Sequence, residues 1–369
     1  MKNAMRDSIL ELYFSKCTYK INKNENLEDY YQSFSKKELQ TILGIYLLIK
    51  DDSSLLLEVP FHEQNTKKEI IEYLLNHYPT IYQTTLLTIN DELLLQLKNL
   101  IHYKGYQKMS IKDGELNYSI SFLDKLNQLK LAKLNYDNIN KEIELFVPKE
   151  LLELMKKLIH NKDFLKRRQK ISEIGRATQE ILSAYGILSL SKLTTILNDK
   201  YQKIAEETLE EILRMLSTFN NDLNIFEHDT DILIANCSFE EEDDAFPFYE
   251  SLEDGEYKSF SKEEYEALYN RQYYQQFSEY RDLMRYLYSN LDLSESEMES
   301  FKDMILDDYL SSCQLDEEEA KKNLMINLEK IFPDLSLTVK IIIKKKLSNL
   351  AKVYPIFYLK GYSIAEKEK

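Results

Sequence analysis

Basic side chains concentrate in one stretch of the chain, where their spacing could bring them to phosphate groups. Lysine and arginine neutralise the phosphates of nucleic acids, and neighbouring amides contact bases or sugars. Three lysines stand near a predicted helix and hairpin at 120–147, and a denser basic run follows at 162–170. The candidate contacts are Lys125, Lys130, Lys133, Lys162, Lys166, Arg167, Arg168 and Lys170. The alternative is that they form solvated helix faces, and the sequence leaves both interpretations open.

Side chains that could perform catalysis or hold a metal show no recognised spacing. The five histidines form no His-x3-His or HExxH pair, and no phosphate-binding glycine loop or nucleophile elbow is present. Cys17 and Cys313 have no neighbour that would activate a thiol. The acidic run 240–244 lacks the glycine and the alternating carboxylates of a calcium loop, and the carboxylates at 307–308 and 317–319 are interpreted as solvated helix faces. We therefore expect no catalytic residue, no metal and no cofactor, and a protein that is not an enzyme.

The net charge of −15 over 369 residues is unevenly distributed. Residues 236–330 hold 9 basic and 26 acidic residues, a net charge of −17, whereas residues 1–170 hold 26 and 23, a net charge of +3. A strongly acidic segment repels phosphate backbones and suits a basic protein partner. Three widely spaced cysteines, an N-terminus without a signal peptide, and no apolar run of about 20 residues predict a cytoplasmic protein outside the membrane.

Helix-start signals position the helices at both ends of the chain. Four Ser/Thr-x-x-Glu capping boxes begin at 35, 66, 261 and 294, and each precedes a run with helical periodicity. Pro79 and Pro333 are expected to end the helices before them. The low glycine and proline content also favours helices. We expect a helical N-terminal region over 1–88 and C-terminal helices at 262–289, 295–312, 316–331 and 336–352.

The middle of the chain carries a pattern of helices followed by a hairpin, and the pattern occurs twice. In the first copy, helices at 91–103 and 120–130 precede strands at 131–135 and 142–147. In the second, a helix that breaks at Tyr185-Gly186 and helices at 191–200 and 206–217 precede strands at 223–226 and 231–235. These hairpins are expected to be the only clear ones, and a sheet of more than four strands in either copy would contradict the repeat.

The predicted fold is mainly α with small β-hairpins, in which two tandem winged-helix-like units are flanked by helical N- and C-terminal regions. The expected divisions are 1–88, the helical N-terminal region; 89–160, winged-helix-like unit 1; 161–236, winged-helix-like unit 2; 237–260, an acidic linker; and 261–369, the C-terminal helical domain. In unit 2, the helix that would read DNA carries Glu206, Glu207, Glu210 and Glu211, and the hairpin adds Glu227, Asp229 and Asp231. Such a surface does not suit phosphate.

Segments 182–190 (LSAYGILSL), 231–234 (DILI), 248–264 and 358–363 (YLKGYS) resemble a group of uncharacterised Firmicutes proteins. The resemblance covers about residues 90–369 and implies a Rho-N/SAP-like helical N-terminus and two winged-helix-like units. Some of these relatives carry a C-terminal SEC-C zinc motif. This chain has no Cys-rich tail after 363 and no clean Rho-N pattern, so zinc binding and RNA binding by that route are not implied. The shared motifs are not catalytic.

Three hypotheses of function follow. The leading one is a non-enzymatic cytoplasmic protein-interaction or regulatory protein of unknown process, with a protein partner. The alternative is a winged-helix DNA- or RNA-associated regulator that uses the basic 125–170 region. The third is a hydrolase or nuclease of unrecognised type, which would need a buried carboxylate or a Cys–His cluster. The oligomeric state is not predicted.

Overall fold

The computed structural model describes residues 14, 19–50, 60, 62–110, 118–217, 223–252, 254–291 and 293–368. In these residues the chain is mainly helical, with two small antiparallel sheets. It divides into two compact units. The first comprises Met1–Gly175 and Glu211–Asn220, and the second comprises Arg176–Glu210 and Asn221–Lys369. None of the described helices is both long and apolar enough to cross a membrane.

The first unit begins with helices, as its capping signals predict. Its helices are α1 (Leu27–Gln32), α2 (Lys36–Lys50), α3 (Lys67–Leu86), α4 (Asp91–His102), α5 (Ile120–Gln128) and α6 (Lys149–His160), and α7 (Lys162–Tyr185) begins in it. The boxes at Ser35 and Thr66 start α2 and α3. The expectation that Pro79 ends a helix is wrong, because α3 continues to Leu86. Buried apolar residues continue on both sides of Pro79, and their burial offsets the one missing backbone hydrogen bond.

The sheet of the first unit contains the predicted hairpin and one strand that was not predicted. Its strands are β1 (Tyr106–Ser110), β2 (Lys133–Asp137) and β3 (Glu142–Phe146), in the antiparallel order β1-β3-β2. Phe146 lies opposite Tyr106 on one side and opposite Lys133 on the other. The hairpin β2–β3 is confirmed. β1 follows α4 so closely that its five residues carry no separate turn signal, although Gly105 at φ +74° marks the change of direction.

The second unit repeats the same sheet order. The strands are β4 (Ile187–Ser189), β5 (Leu223–His228) and β6 (Asp231–Asn236), in the antiparallel order β4-β6-β5. α7 ends at Tyr185 as predicted, and α8 (Leu190–Lys200) and α9 (Glu206–Ser217) precede the confirmed hairpin β5–β6. α9 begins in the second unit, and its residues from Glu211 onward are counted with the first unit. Asp229, at φ +52°, lies in its two-residue turn. β4 was not predicted, because three residues are too few to show an alternating pattern.

The expectation of a solvated acidic linker at 237–260 is wrong for its middle part. Residues Glu242–Glu250 form helix α10, whose first turn carries Glu242, Asp243 and Asp244. Carboxylates at this end interact favourably with the helix dipole. Phe246, Phe248 and Tyr249 pack against a buried cluster that contains Ile187, Phe226, Leu233, Ala235, Phe239, Ala245 and Phe357. The aromatic residues thus bury one face of a segment whose acidic residues suggested a linker.

The C-terminal region is helical, with one more break than predicted. Its helices are α11 (Lys262–Tyr269), α12 (Ser278–Asn290), α13 (Glu295–Phe301), α14 (Asp308–Leu315), α15 (Glu317–Ile331), α16 (Leu337–Val353) and the short α17 (Ile364–Lys367). The helix predicted over 262–289 is interrupted by Arg271 at φ +55° and a short 3-10 helix, Tyr273–Gln276. A π-helical turn, Lys302–Asp307, joins α13 to α14. Pro333 follows the end of α15, as predicted.

Candidate interaction surfaces

Lys133, one of the predicted phosphate contacts, is buried in an ion pair. Its side chain is 1 % exposed, and its Nζ lies 2.5 and 2.6 Å from the two carboxylate oxygens of Glu25. The ammonium group also lies 4.9 Å from the centre of the Tyr30 ring. A lysine enclosed by a carboxylate and aromatic rings cannot reach a phosphate. Lys133 therefore stabilises the first unit, and its prediction as a nucleic-acid contact is wrong.

Lys130 and Lys125 are buried as well. Lys130 Nζ lies 3.2 Å from Glu38, and the ammonium group also lies 5.3 Å from the Phe34 ring centre. The Lys130 carbonyl accepts a 2.8 Å hydrogen bond from the Tyr30 hydroxyl, so both ends of this residue belong to the interior. Lys125 is only 9 % exposed. The basic group at 125–133 is therefore not a surface, and its prediction as a contact region is wrong.

Arg168, in the denser basic run, is the fourth buried member of the predicted set. It is 3 % exposed, and its guanidinium forms an ion pair with Asp91 and donates a 2.9 Å hydrogen bond to the Ile89 carbonyl. These contacts hold α7 to the start of α4. Asp91 is itself in the first turn of α4, so the guanidinium fixes this helix end rather than a ligand. The prediction of Arg168 as a nucleic-acid contact is wrong.

The remaining predicted contacts lie on the outside of α7. We call Lys162, Lys166, Arg167 and Lys170 the basic strip. All four are exposed, and none forms an ion pair with a residue that the structure describes. Lys162, Lys166 and Lys170 follow a four-residue spacing, which places them on one side of the helix. The basic strip is thus half of the predicted set, and it is the half that can meet an anionic partner.

The second unit presents an acidic groove beside its sheet. We call the acidic groove the space of about 570 Å³ that is lined by Asn224, Ile225, Phe226, Glu240, Glu241, Glu242 and Asp243. The four carboxylate residues are exposed, and none of them is in an ion pair with another described residue. The Asn224 side-chain amide donates a 2.8 Å hydrogen bond to the Phe239 carbonyl, and it thereby holds the carboxylate-bearing loop next to β5.

Further carboxylates lie on α9 and on the β5–β6 hairpin. Glu206, Glu207 and Glu211 are exposed on α9, as the sequence predicts. Asp229 and Asp231 are exposed at the hairpin turn. α9 and the hairpin turn thus present negative charge to the solvent, and phosphates are repelled by such a surface.

The described residues include one buried carboxylate that the sequence interpretation placed on a solvated face. Asp307 lies in the π-helical turn and is 8 % exposed, so that interpretation is wrong for Asp307, whereas Asp308 is exposed as expected. Its Oδ1 has no hydrogen-bond partner among the described residues, and burial raises the pKa of the Asp307 carboxyl. The Tyr274 hydroxyl and the Arg271 guanidinium are its neighbours, and both partly counteract that rise. No cysteine or histidine is among the groups that affect this carboxyl.

The candidate thiols and metal ligands can be located for the described part of the chain. Cys313 is buried, and burial raises the pKa of its thiol to about 12. Cys237 is exposed, and Cys17 lies outside the described residues. Among the described residues, no three histidine, cysteine, aspartate or glutamate side chains are grouped to hold a metal ion.

Three of the segments that carry the resemblance, 182–190, 248–264 and 358–363, lie together in the second unit. The Tyr185 hydroxyl lies 2.6 Å from the Tyr265 hydroxyl and donates to the Lys258 carbonyl at 2.5 Å. Gly186, at φ +74°, packs so closely on Phe357 that an added Cβ would lie 2.5 Å from its ring. An added Cβ at Gly361 would lie 2.8 Å from Tyr185. These motif residues therefore join the C-terminal segment to the end of α7, which the sequence did not predict.

No model of a protein family, no curated protein and no solved structure matches this chain.

Proposed function

We propose that the protein is a non-enzymatic interaction protein built around two winged-helix units, and that the second unit binds a basic protein partner. The order α7-β4-α8-α9-β5-β6, with the sheet order β4-β6-β5, is typical of a winged helix and supports this proposal. The first unit has the order α4-β1-α5-β2-β3 and the matching sheet order β1-β3-β2, with one helix fewer in its described residues.

The observation that carries the proposal is the charge of α9. In a DNA-binding unit this second helix of the helix-turn-helix would bring lysine, arginine and amide side chains to the duplex. Here Glu206, Glu207 and Glu211 are exposed instead. The acidic groove adds four more carboxylates in the second unit, to which Glu206 and Glu207 also belong. This negative charge raises the rate of encounter with a basic protein, and it repels the phosphates of nucleic acid.

Affinity capture from a nuclease-treated native lysate tests this proposal. The wild-type chain is compared with a Glu206→Gln, Glu207→Gln, Glu211→Gln variant. We expect the wild type to capture a basic protein that 0.5 M salt releases, and the variant to capture much less of it. A matched control replaces three exposed glutamates elsewhere, Glu299, Glu319 and Glu329, by glutamine. Equal capture by all three chains, or no captured protein, would refute the proposal.

The exposed basic strip favours a second candidate function, which is contact with nucleic acid. Four exposed cations along α7 that pair with none of the described residues can neutralise up to about four phosphates, which predicts a log–log salt slope of about −3 to −4. Filter binding of duplex DNA and single-stranded RNA at two salt concentrations measures this slope. A Lys166→Gln, Arg167→Gln variant should bind more weakly, whereas the control Lys345→Gln, Lys352→Gln, which also removes two exposed charges, should not. Binding that is absent or independent of salt contradicts this candidate.

A cytoplasmic location and the relation to the Firmicutes proteins belong to the same proposal. The described cysteines, Cys237 and Cys313, form no disulfide, as is usual in a reducing compartment. The close packing of Gly186 and Gly361 gives the shared motifs a structural reason, since a larger residue at either position would disturb the junction.

A further inference from the structure

We infer that the acidic groove binds an extended segment of a partner protein, with lysine or arginine at alternate positions, and that this segment adds to β5 as a further strand. The inference rests on the proposed function, and it names the chemistry of the partner and the way it binds. Beside the acidic residues lies a sheet edge that no described segment pairs with.

The unpaired edge follows from the strand order. In the order β4-β6-β5, β5 pairs with β6 on one side, and none of the described segments pairs with its other side. The two-residue turn makes His228 and Asp231 a hydrogen-bonded pair. Because hydrogen-bonded pairs alternate along an antiparallel ladder, Phe226 and Asn224 also direct their backbone N–H and C=O groups to β6. Ile225 lies between them, opposite Ile234. Its N–H and C=O therefore point outward, into the acidic groove that Ile225 lines.

The side chains around this edge define what the added strand must carry. Successive side chains of a strand point to opposite faces, and residues two apart are separated by about 6.6–6.8 Å on one face. The Glu240–Asp243 run starts α10, which packs on the same face of the sheet as Phe226. Every second side chain of the added strand would therefore meet these carboxylates. Lysine and arginine satisfy them, and an exposed strand edge supplies the main-chain hydrogen bonds.

The same charges argue against two other occupants. A second copy of this chain, paired edge to edge through β5, would bring two sets of four carboxylates together, and like charges across a strand pair are unfavourable. Nucleic acid would bring phosphates to the same carboxylates. A basic extended peptide is the occupant for which both the backbone edge and the side-chain charges are complementary.

Binding of a designed peptide to the full chain tests the inference. The probe is a ten-residue peptide of alternating lysine and valine, and the comparison is a block peptide of five lysines followed by five valines. We expect the alternating peptide to bind more tightly, to dissociate at high salt, and to slow hydrogen exchange of the Ile225 amide. Methylation of every second backbone amide of the alternating peptide keeps its charges but removes the N–H donors along one edge. When that edge faces β5, the methylated peptide should bind at least tenfold more weakly.

Two variants of the protein complete the test. Replacing Glu240, Glu241, Glu242 and Asp243 by their amides should weaken binding of the alternating peptide roughly tenfold or more, since four exposed ion pairs are lost together. The control replaces four exposed carboxylates outside the acidic groove, those of Glu299, Glu319, Glu329 and Asp334, and should bind like the wild type. Near-equal affinity of block, N-methylated and unmodified peptides, or an unchanged Ile225 amide, would overturn the inference. The lysate capture distinguishes failure of this inference from failure of the proposed function. If the peptide test fails but capture of a basic protein still depends on the α9 glutamates, the proposed function survives. If no basic protein is captured, the proposed function itself fails.

Discussion

Replacement of Lys133 by methionine should lower the free energy of unfolding of the first unit, because this lysine is a buried ion-pair partner and not a nucleic-acid contact. Lys133 and Glu25 are 1 % and 6 % exposed in their side chains, and the ammonium group lies 2.5 Å from the carboxylate. Methionine keeps most of the aliphatic stem but leaves the Glu25 carboxylate buried without its partner. Breaking one side of a buried pair costs about 3–5 kcal/mol. Loss of the cation–π contact with Tyr30 acts in the same direction.

A double-mutant cycle measures this magnitude. The chains compared are wild type, Lys133→Met, Glu25→Met and the double variant, each unfolded with urea and followed by circular dichroism. Replacing both partners by apolar residues removes the unpaired charge, so the double variant should regain most of the loss and lie within about 1 kcal/mol of wild type. The exposed control Lys166→Met should change the free energy of unfolding by no more than about 0.5 kcal/mol. A loss below about 1 kcal/mol for Lys133→Met, or losses that simply add in the double variant, would refute the reasoning.

Three further substitutions probe the second unit. Asp307→Asn removes a buried charge and should stabilise the fold by about 1–3 kcal/mol at pH 7. Because the pKa of Asp307 is raised in the folded protein, the stability of the wild type falls as the pH rises through that pKa. The melting temperatures of wild type and variant should therefore converge below the usual carboxyl pKa. Gly186→Ala should cost about 2–4 kcal/mol in denaturant unfolding, from a left-handed backbone and a clash with Phe357, and a neutral result would contradict the packing. Tyr185→Phe leaves the Tyr265 hydroxyl without its partner and should lower the free energy of unfolding by about 1–3 kcal/mol, with an unchanged melting temperature as the contrary result.

The local elements were predictable because their signals are local. A capping box satisfies backbone groups within four residues, and the boxes at Thr66, Ser261 and Ser294 each start a helix. The hairpin turn at Asp229 depends on two residues and the strands beside it. The strands β1 and β4 were missed because they are completed by β3 and β6, which come tens of residues later in the chain. A short strand has no pattern of its own, and only its distant partner defines it.

The candidate site was only half predictable, because charge is visible in a sequence and burial is not. The uneven charge, the acidic α9 and the cations of the basic strip follow directly from residue types. Whether a lysine faces solvent depends on what the chain brings to it. Lys133 meets a carboxylate from a residue 108 positions away, and Arg168 meets one from 77 positions away.

The sequence by itself therefore determined most of the helices, the two hairpins and the distribution of charge, since each depends on neighbours along the chain. Only the tertiary structure decided which charges are surface and which are interior. It enclosed Lys125, Lys130, Lys133 and Arg168, buried Asp307, and placed an edge of β5 that no described segment pairs with beside the acidic groove. The physical reason is that burying a charge is costly unless a partner is supplied, and the partners come from segments that only folding brings near.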